Sequence, residues 1–188
     1  SNFDRCLRLL DEASRKLGLY LLNSVNPFRV EGQKTIALEA LLQLGWDPPD
    51  WIVLPAGNLG NTAAMGKALA EARDWGLITR IPRIAAIQAA GAAPFVRGFS
   101  EGFVRRHSVT PQTVATAIRI GEPASWDRAV EALRVTDGVA TAVSDAEILE
   151  AKAAIDGAGV GCEPASAASP AGVRKLVADG TIPPGARV

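Results

Sequence analysis

Cysteine and histidine are nearly missing from this 188-residue chain, which holds two of the first and one of the second. Cys6 and Cys162 stand far apart with no metal-ligand spacing, so neither a zinc site nor a disulfide framework is supported, and two free thiols in a reducing compartment are the plain reading. His107 lies in Arg105-Arg106-His107-Ser108 with no acid or nucleophile beside it in sequence, and reads as a solvated loop residue rather than a general base. Net charge is lacking too, since 20 Lys+Arg balance 20 Asp+Glu. A neutral chain projects no long-range field to gather nucleic acid or an anionic membrane, so any anion site has to be local. No apolar run reaches membrane-spanning length and no basic-then-apolar leader is visible, which points to a soluble, cytoplasmic protein without a membrane partner.

What remains suits one α/β domain over residues 1–188, a length at which a compact chain buries about 70% of its unfolded surface. The most informative stretch is Trp51-Ile52-Val53-Leu54-Pro55-Ala56-Gly57-Asn58-Leu59-Gly60-Asn61-Thr62, an apolar strand-like run that breaks into a Gly/Asn turn before an alanine-rich helical pattern. Two glycines and two asparagines permit tight or left-handed backbone and close approach, while the next helix opens with free N–H groups and the positive end of its dipole. Gly57, Asn58, Leu59, Gly60 and Asn61 therefore read as a cradle for an anionic group such as a phosphate. The run is neither a G-x-G-x-x-G with an acidic follower nor a P-loop, and an ordinary strand-to-helix turn capped by asparagine is the competing reading.

Periodicity organises the rest. Phe3, Cys6, Leu7, Leu9, Leu10, Ala13 and Leu17 recur at helical spacing before Gly18; Leu19–Leu22 follows as a short strand opening into Asn23–Arg29; Gly32–Leu44 is helical up to Gly45. A helix over Thr62–Trp75 follows the cradle, with further strands at Arg83–Gln88 and Val139–Val143. Ser144 and Glu147 have capping-box spacing at the start of another helix. Alternating strands and helices predict an open, mostly parallel sheet with helices on both faces and ligands at the carboxyl ends of the strands. The loops Asn23–Arg29 and Gly57–Thr62 would then open at the same sheet edge. There Arg29 can grip a phosphate bidentately with Asn23 and Ser24 donating, or it is simply a solvated charge. Cys162–Ala168 reads by itself as a closely packed helix start.

Together these segments resemble the threonine synthase family of pyridoxal-phosphate enzymes, fold type II. The resemblance runs through Asn2-Phe3-Asp4, Asn23 to Thr35, Leu54 to Asn61, Gln88 to Pro94, Ala117 to Gly121 with Pro123 to Trp126, and Cys162 to Ala168. It implies conversion of O-phosphohomoserine and water to threonine and phosphate with pyridoxal 5'-phosphate as cofactor and no metal. It further implies that Gly57 to Asn61 hold the cofactor phosphate and that Asn23, Ser24 and Arg29 bind the substrate phosphate.

The same resemblance implies a lysine that carries the cofactor as a Schiff base within a Ser-Phe-Lys-Asp-type motif, and a Thr-Gly-His-Gly-Leu-Lys-Asp-Pro segment facing the pyridine nitrogen. Neither is found around Lys16, Lys34, Lys67, Lys152 or Lys175, so none of these is assigned as catalytic. The expectation is a middle-to-C-terminal part of a longer enzyme with little turnover of its own, working in a homodimer or with a missing N-terminal portion. Two other readings stay open, a module that binds phosphate or pyridoxal phosphate without catalysis and an association half of a split enzyme.

Overall fold

In the computed structural model, residues 3–22 and 26–188 are described, the side chains of residues 3 and 4 excepted. Three strands, β1 (Trp51–Pro55), β2 (Arg83–Ala89) and β3 (Val139–Val143), form a wholly parallel sheet in the order β1-β2-β3. Trp51 stands opposite Arg83 in one ladder and Ala85 opposite Val139 in the other. Because successive side chains leave a strand on opposite faces, each short apolar run feeds two cores. Ile52, Leu54, Ile84, Ala86 and Ala140 join one, and Trp51, Val53, Ala85, Ile87, Ala89 and Val143 the other. The central strand is buried from Ile84 to Ala89, which explains an apolar sequence there that only Gln88 interrupts.

The first face is covered by α3 (Gly60–Asp74) and α5 (Trp126–Val135), with α2 (Pro27–Gln43) packed outside α3 and the short α4 (Pro94–Ser100) beside them. Both crossovers step across the sheet in one direction, and a common hand then puts α3 and α5 on one side. The chain returns over the second face through α6 (Asp145–Gly157) and α7 (Pro164–Ala178), α7 lying across all three strands. Gly172 admits that approach, since a Cβ there would sit 2.5 Å from Ile87 Cδ1. The fold class expected from the alternating pattern is thus the observed one.

Local chemistry sets the helix ends. Asn26 caps α2, its Oδ1 accepting from Phe28 N at 2.9 Å, and Pro27 occupies the first turn where no intrahelical N–H is needed. This starts the helix five residues before the expected Gly32. The capping box forms as its spacing implies, with Ser144 Oγ accepting from Glu147 N and Ser144 N donating to Glu147 Oε2 at 2.6 Å.

Two expectations need correction here. Residues 19–22 are no strand: the stretch is irregular and Leu19, Tyr20 and Leu22 are exposed, because no described sheet edge lies there to pair with it. Consequently Arg29 stands in the first turn of α2 and not in a loop that follows a strand. The opening helix, α1 (Phe3–Leu17), does form and stops before Gly18 at φ +66°, yet none of residues 5–17 is buried.

Candidate anion-binding site

At the carboxyl end of β1 the chain passes through Ala56 and Gly57 into the Gly/Asn turn and enters α3 at Gly60. Its N-cap residue is Leu59, which makes no side-chain capping bond. Asparagine does not cap this helix, contrary to that part of the ordinary-turn reading: Asn58 Oδ1 instead accepts from Ala124 N at 2.9 Å. Among the described residues no side-chain cap bond engages the first turn of α3, whose Gly60 and Asn61, at the positive end of the helix dipole, line a cavity.

The left-handed residue is not one of the glycines or asparagines, as expected, but Leu59 at φ +65°. Such a backbone costs a leucine about 1–2 kcal/mol, and burial of its side chain in the α2–α5 core offsets that. Gly57 serves close approach: a Cβ would lie 2.9 Å from Ile118 Cα and 3.1 Å from Ala117 O. At Gly60 a Cβ would meet only Gln33 Oε1, at 3.5 Å, within contact range.

Gly57, Asn58, Leu59, Gly60 and Asn61 all line one cavity of about 290 Å³, and Arg29 lines it too. Arg29 and the Gly57–Asn61 turn are therefore brought together, although by the start of a helix and not by a second post-strand loop. Among the described residues Arg29 has no ion-pair partner, whereas Lys34, one turn away, is engaged by Glu31 at 2.6 Å and Glu71 at 2.5 Å. Those carboxylates, Glu31 first, raise the Lys34 pKa above the ordinary lysine range and keep it charged. Asn23 and Ser24, expected beside Arg29, lie outside the described residues.

Sequence reasoning missed Gln33, Glu163 and Ser166, which line the same cavity. Gln33 follows Arg29 by four positions on α2, a one-face spacing that could have pointed to it. Glu163 and Ser166 come from the start of α7, which the sheet places opposite the cradle and no local pattern foretells. Three helix beginnings, of α2, α3 and α7, thus converge on one cavity. Their summed dipoles favour an anion. Within the wall, Asn58 Nδ2 is buried without a hydrogen-bond partner among the described residues.

None of the five lysines lines this cavity. Lys16 pairs with Glu12, Lys67 with Glu31, Lys152 with Asp156, and Lys175 donates to Ala142 O. His107 corrects another expectation. Its side chain is only 8% exposed and its Nε2 lies 2.8 Å from Glu101 Oε2, because the chain turns after α4 and folds the pair together. Arg105, then His107, hold the Glu101 carboxyl down at about 2.

A parallel α/β sheet with a cavity at the carboxyl end of its first strand defines an α/β class of protein in which ligands are received at strand ends. Comparison makes this specific: the model of the family described as pyridoxal-phosphate dependent enzyme matches residues 1–188, and the chain belongs to that family. It is similar to the threonine synthase of Methanocaldococcus jannaschii, with 44% identity over 96% of this chain and 45% of the relative. The threonine synthase of Mycobacterium tuberculosis is 47% identical over 100% of this chain and 50% of its own length. Among solved structures, threonine synthase from Escherichia coli superimposes with a TM-score of 0.74 at 25% identity, covering 93% of this chain and 42% of that one. The chain thus spans about half the length of the relatives it matches. The family's cofactor is pyridoxal phosphate. A buried amide donor in the cavity wall, without a hydrogen-bond partner among the described residues, is compatible with its phosphate. No helix among the described residues is long and apolar enough to cross a membrane.

Proposed function

We propose that this chain is the phosphate-gripping part of a threonine synthase, which converts O-phosphohomoserine and water to threonine and phosphate. One observation carries the reading: a single cavity joins the Gly57–Asn61 turn to the Arg29 guanidinium, which has no ion-pair partner among the described residues, and this supports separate receptors for two phosphates, one on the cofactor and one on the substrate. The match to threonine synthases along nearly the whole chain supports it.

In this reading Gly57, Asn58, Leu59, Gly60 and Asn61 hold the cofactor phosphate through backbone N–H groups and the α3 dipole, with Asn58 Nδ2 as a further donor. Bound there, pyridoxal phosphate supplies the electron sink for carbanion chemistry. Arg29, together with Asn23 and Ser24, grips the substrate phosphate. A planar fork that keeps two charge-assisted bonds to the departing group stabilises the charge that develops on it. Gln33, one turn along the same face, fixes the orientation between the two anions. The cofactor-bearing lysine comes from polypeptide outside these residues, in the same longer chain or in a partner subunit. Residues 1–188 act as one α/β domain of a cytoplasmic enzyme.

The deciding experiment incubates the native gene product with pyridoxal phosphate and O-phosphohomoserine and follows both phosphate and threonine. Equal release of the two is expected. Cofactor binding with deamination of hydroxyamino acids and no phosphate release would overturn the assignment.

A further inference from the structure

Directly behind the cradle sits a polar side chain that the proposed reaction does not use. Gln88, near the end of the central strand, is 0% exposed. Its Nε2 donates to Ala56 O at 3.0 Å, while its Oε1 accepts from Phe95 N at 2.8 Å and Val96 N at 3.1 Å. These partners fix the amide's orientation, since one is a carbonyl and two are N–H groups. Ala56 N in turn donates to Ile87 O at 2.7 Å. Both polar groups of Ala56 are thus held by β2, immediately before Gly57 opens the cradle.

The other end of the amide is equally committed. The residue before α4, Ala93, makes no capping bond, and Gln88 Oε1 satisfies the N–H groups of that helix's first turn from another strand. Phe95 then packs against Trp126 with ring centroids 5.1 Å apart, at the start of α5. The two residues before that helix return to the cradle, Ala124 N donating to Asn58 Oδ1 and Ser125 N to Asn58 O at 3.1 Å. A closed ring of contacts therefore runs from Ala56 through Gln88, Phe95, Trp126 and Ser125 to Asn58, and in it Gln88, outside the cavity wall, is the side chain that bonds both Ala56 and the first turn of α4.

We propose that Gln88 is a positioning residue for the anion cradle: it aligns the Ala56–Asn58 backbone from behind, so that the N–H groups point at a phosphate before one arrives. This rests on the reading of Gly57–Asn61 as the cofactor-phosphate site. Preorganised donors cost no rearrangement when the anion binds, whereas a cradle released from Ala56 must be ordered by its ligand.

The test uses the native gene product and pyridoxine 5'-phosphate, which has the cofactor's ring and phosphate but no aldehyde, so that only non-covalent grip is read by calorimetric titration. Gln88→Met removes all three bonds and should weaken binding by roughly tenfold. Gln88→Glu provides a sharper arm. A buried neutral carboxyl can donate to Ala56 O and accept from Phe95 N and Val96 N as the amide does, but an ionised one repels the Ala56 carbonyl. Its affinity relative to wild type, a ratio in which the ligand's own titration cancels, should be near one at about pH 6 and fall roughly tenfold by about pH 9. Leu133→Ala, a core truncation away from the ring, controls for lost stability. The inference is overturned if both Gln88 variants bind within about twofold of wild type at every pH, or if Leu133→Ala loses as much affinity as Gln88→Met. Wild-type protein that fails to bind the probe overturns the cradle reading as well, which separates the two failures.

Discussion

The first and third helices invert what their sequences suggest. Helix α1 carries leucines at regular helical spacing, yet none of residues 5–17 is buried, and Leu9 is 56% exposed. The alanine-rich α3 has no comparable stripe, but eight of its 15 residues are buried, from Thr62 to Ala72. Small side chains explain the second case. With alanine and glycine on every side, α3 fits between α2, α5 and the sheet, and a Cβ on Gly66 would stand only 2.3 Å from Ala132 Cβ. An apolar stripe declares that a helix has a face to bury, whereas small residues all round declare that it will be surrounded.

That contrast can be broken or sharpened by substitution. The largest effect is expected at a residue as exposed as those of α1 but aimed at the cavity: Arg29→Ala in the native gene product should cost about 2–4 kcal/mol in kcat/KM for O-phosphohomoserine, with little change in unfolding midpoint. A loss below about tenfold would remove Arg29 from its assigned role. Next comes Gly66→Ala in α3, where one methyl group meets the Ala132 backbone at 2.6 Å and should cost about 2–3 kcal/mol in urea denaturation.

A smaller, pH-dependent effect belongs to Glu101. Its folded pKa of about 2 lies below the ordinary 4.5, so the stability it contributes is present above about pH 4.5 and is lost as pH falls towards 2. Glu101→Gln should flatten that part of the profile of unfolding midpoint against pH, and an unchanged profile would refute the pairing. The smallest effect is reserved for α1, which an Arg8–Glu122 ion pair of 3.0 Å between two exposed side chains joins to the body. Leu9→Ala should change global stability by no more than about 0.5 kcal/mol. Amides of α1 should exchange with deuterium far faster than those of α3, and equal protection of the two helices would contradict the contrast drawn here.

Much of the site was legible beforehand because its signals are local. The apolar run ending in Gly57-Asn58-Leu59-Gly60-Asn61 specifies a strand, a break and a helix start through backbone freedom and helix-end chemistry alone. Even so, the left-handed residue is Leu59, since the core that anchors its side chain is assembled from α2 to α5, distant in sequence. Arg29 reached the cavity although residues 19–22 formed no strand: the resemblance carried its position, and Asn26 with Pro27 turned its loop into a helix start. His107 escaped detection because Glu101 comes to it through the turn after α4.

By itself the sequence determined the three strands, the capping box at Ser144, the charge balance, and the break at Gly57–Asn61 between a strand and a helix. These depend on side-chain period, backbone freedom and composition, each complete within a few residues of chain. Only the tertiary structure decided that α2, α3 and α7 begin at one cavity, that Asn58 braces the Ala124–Ser125 turn instead of capping α3, and that Gln88 stands behind Ala56. Those placements follow from parallel pairing and from packing on two faces of a sheet, which join residues 30 to more than 100 positions apart and leave no periodic trace in the chain.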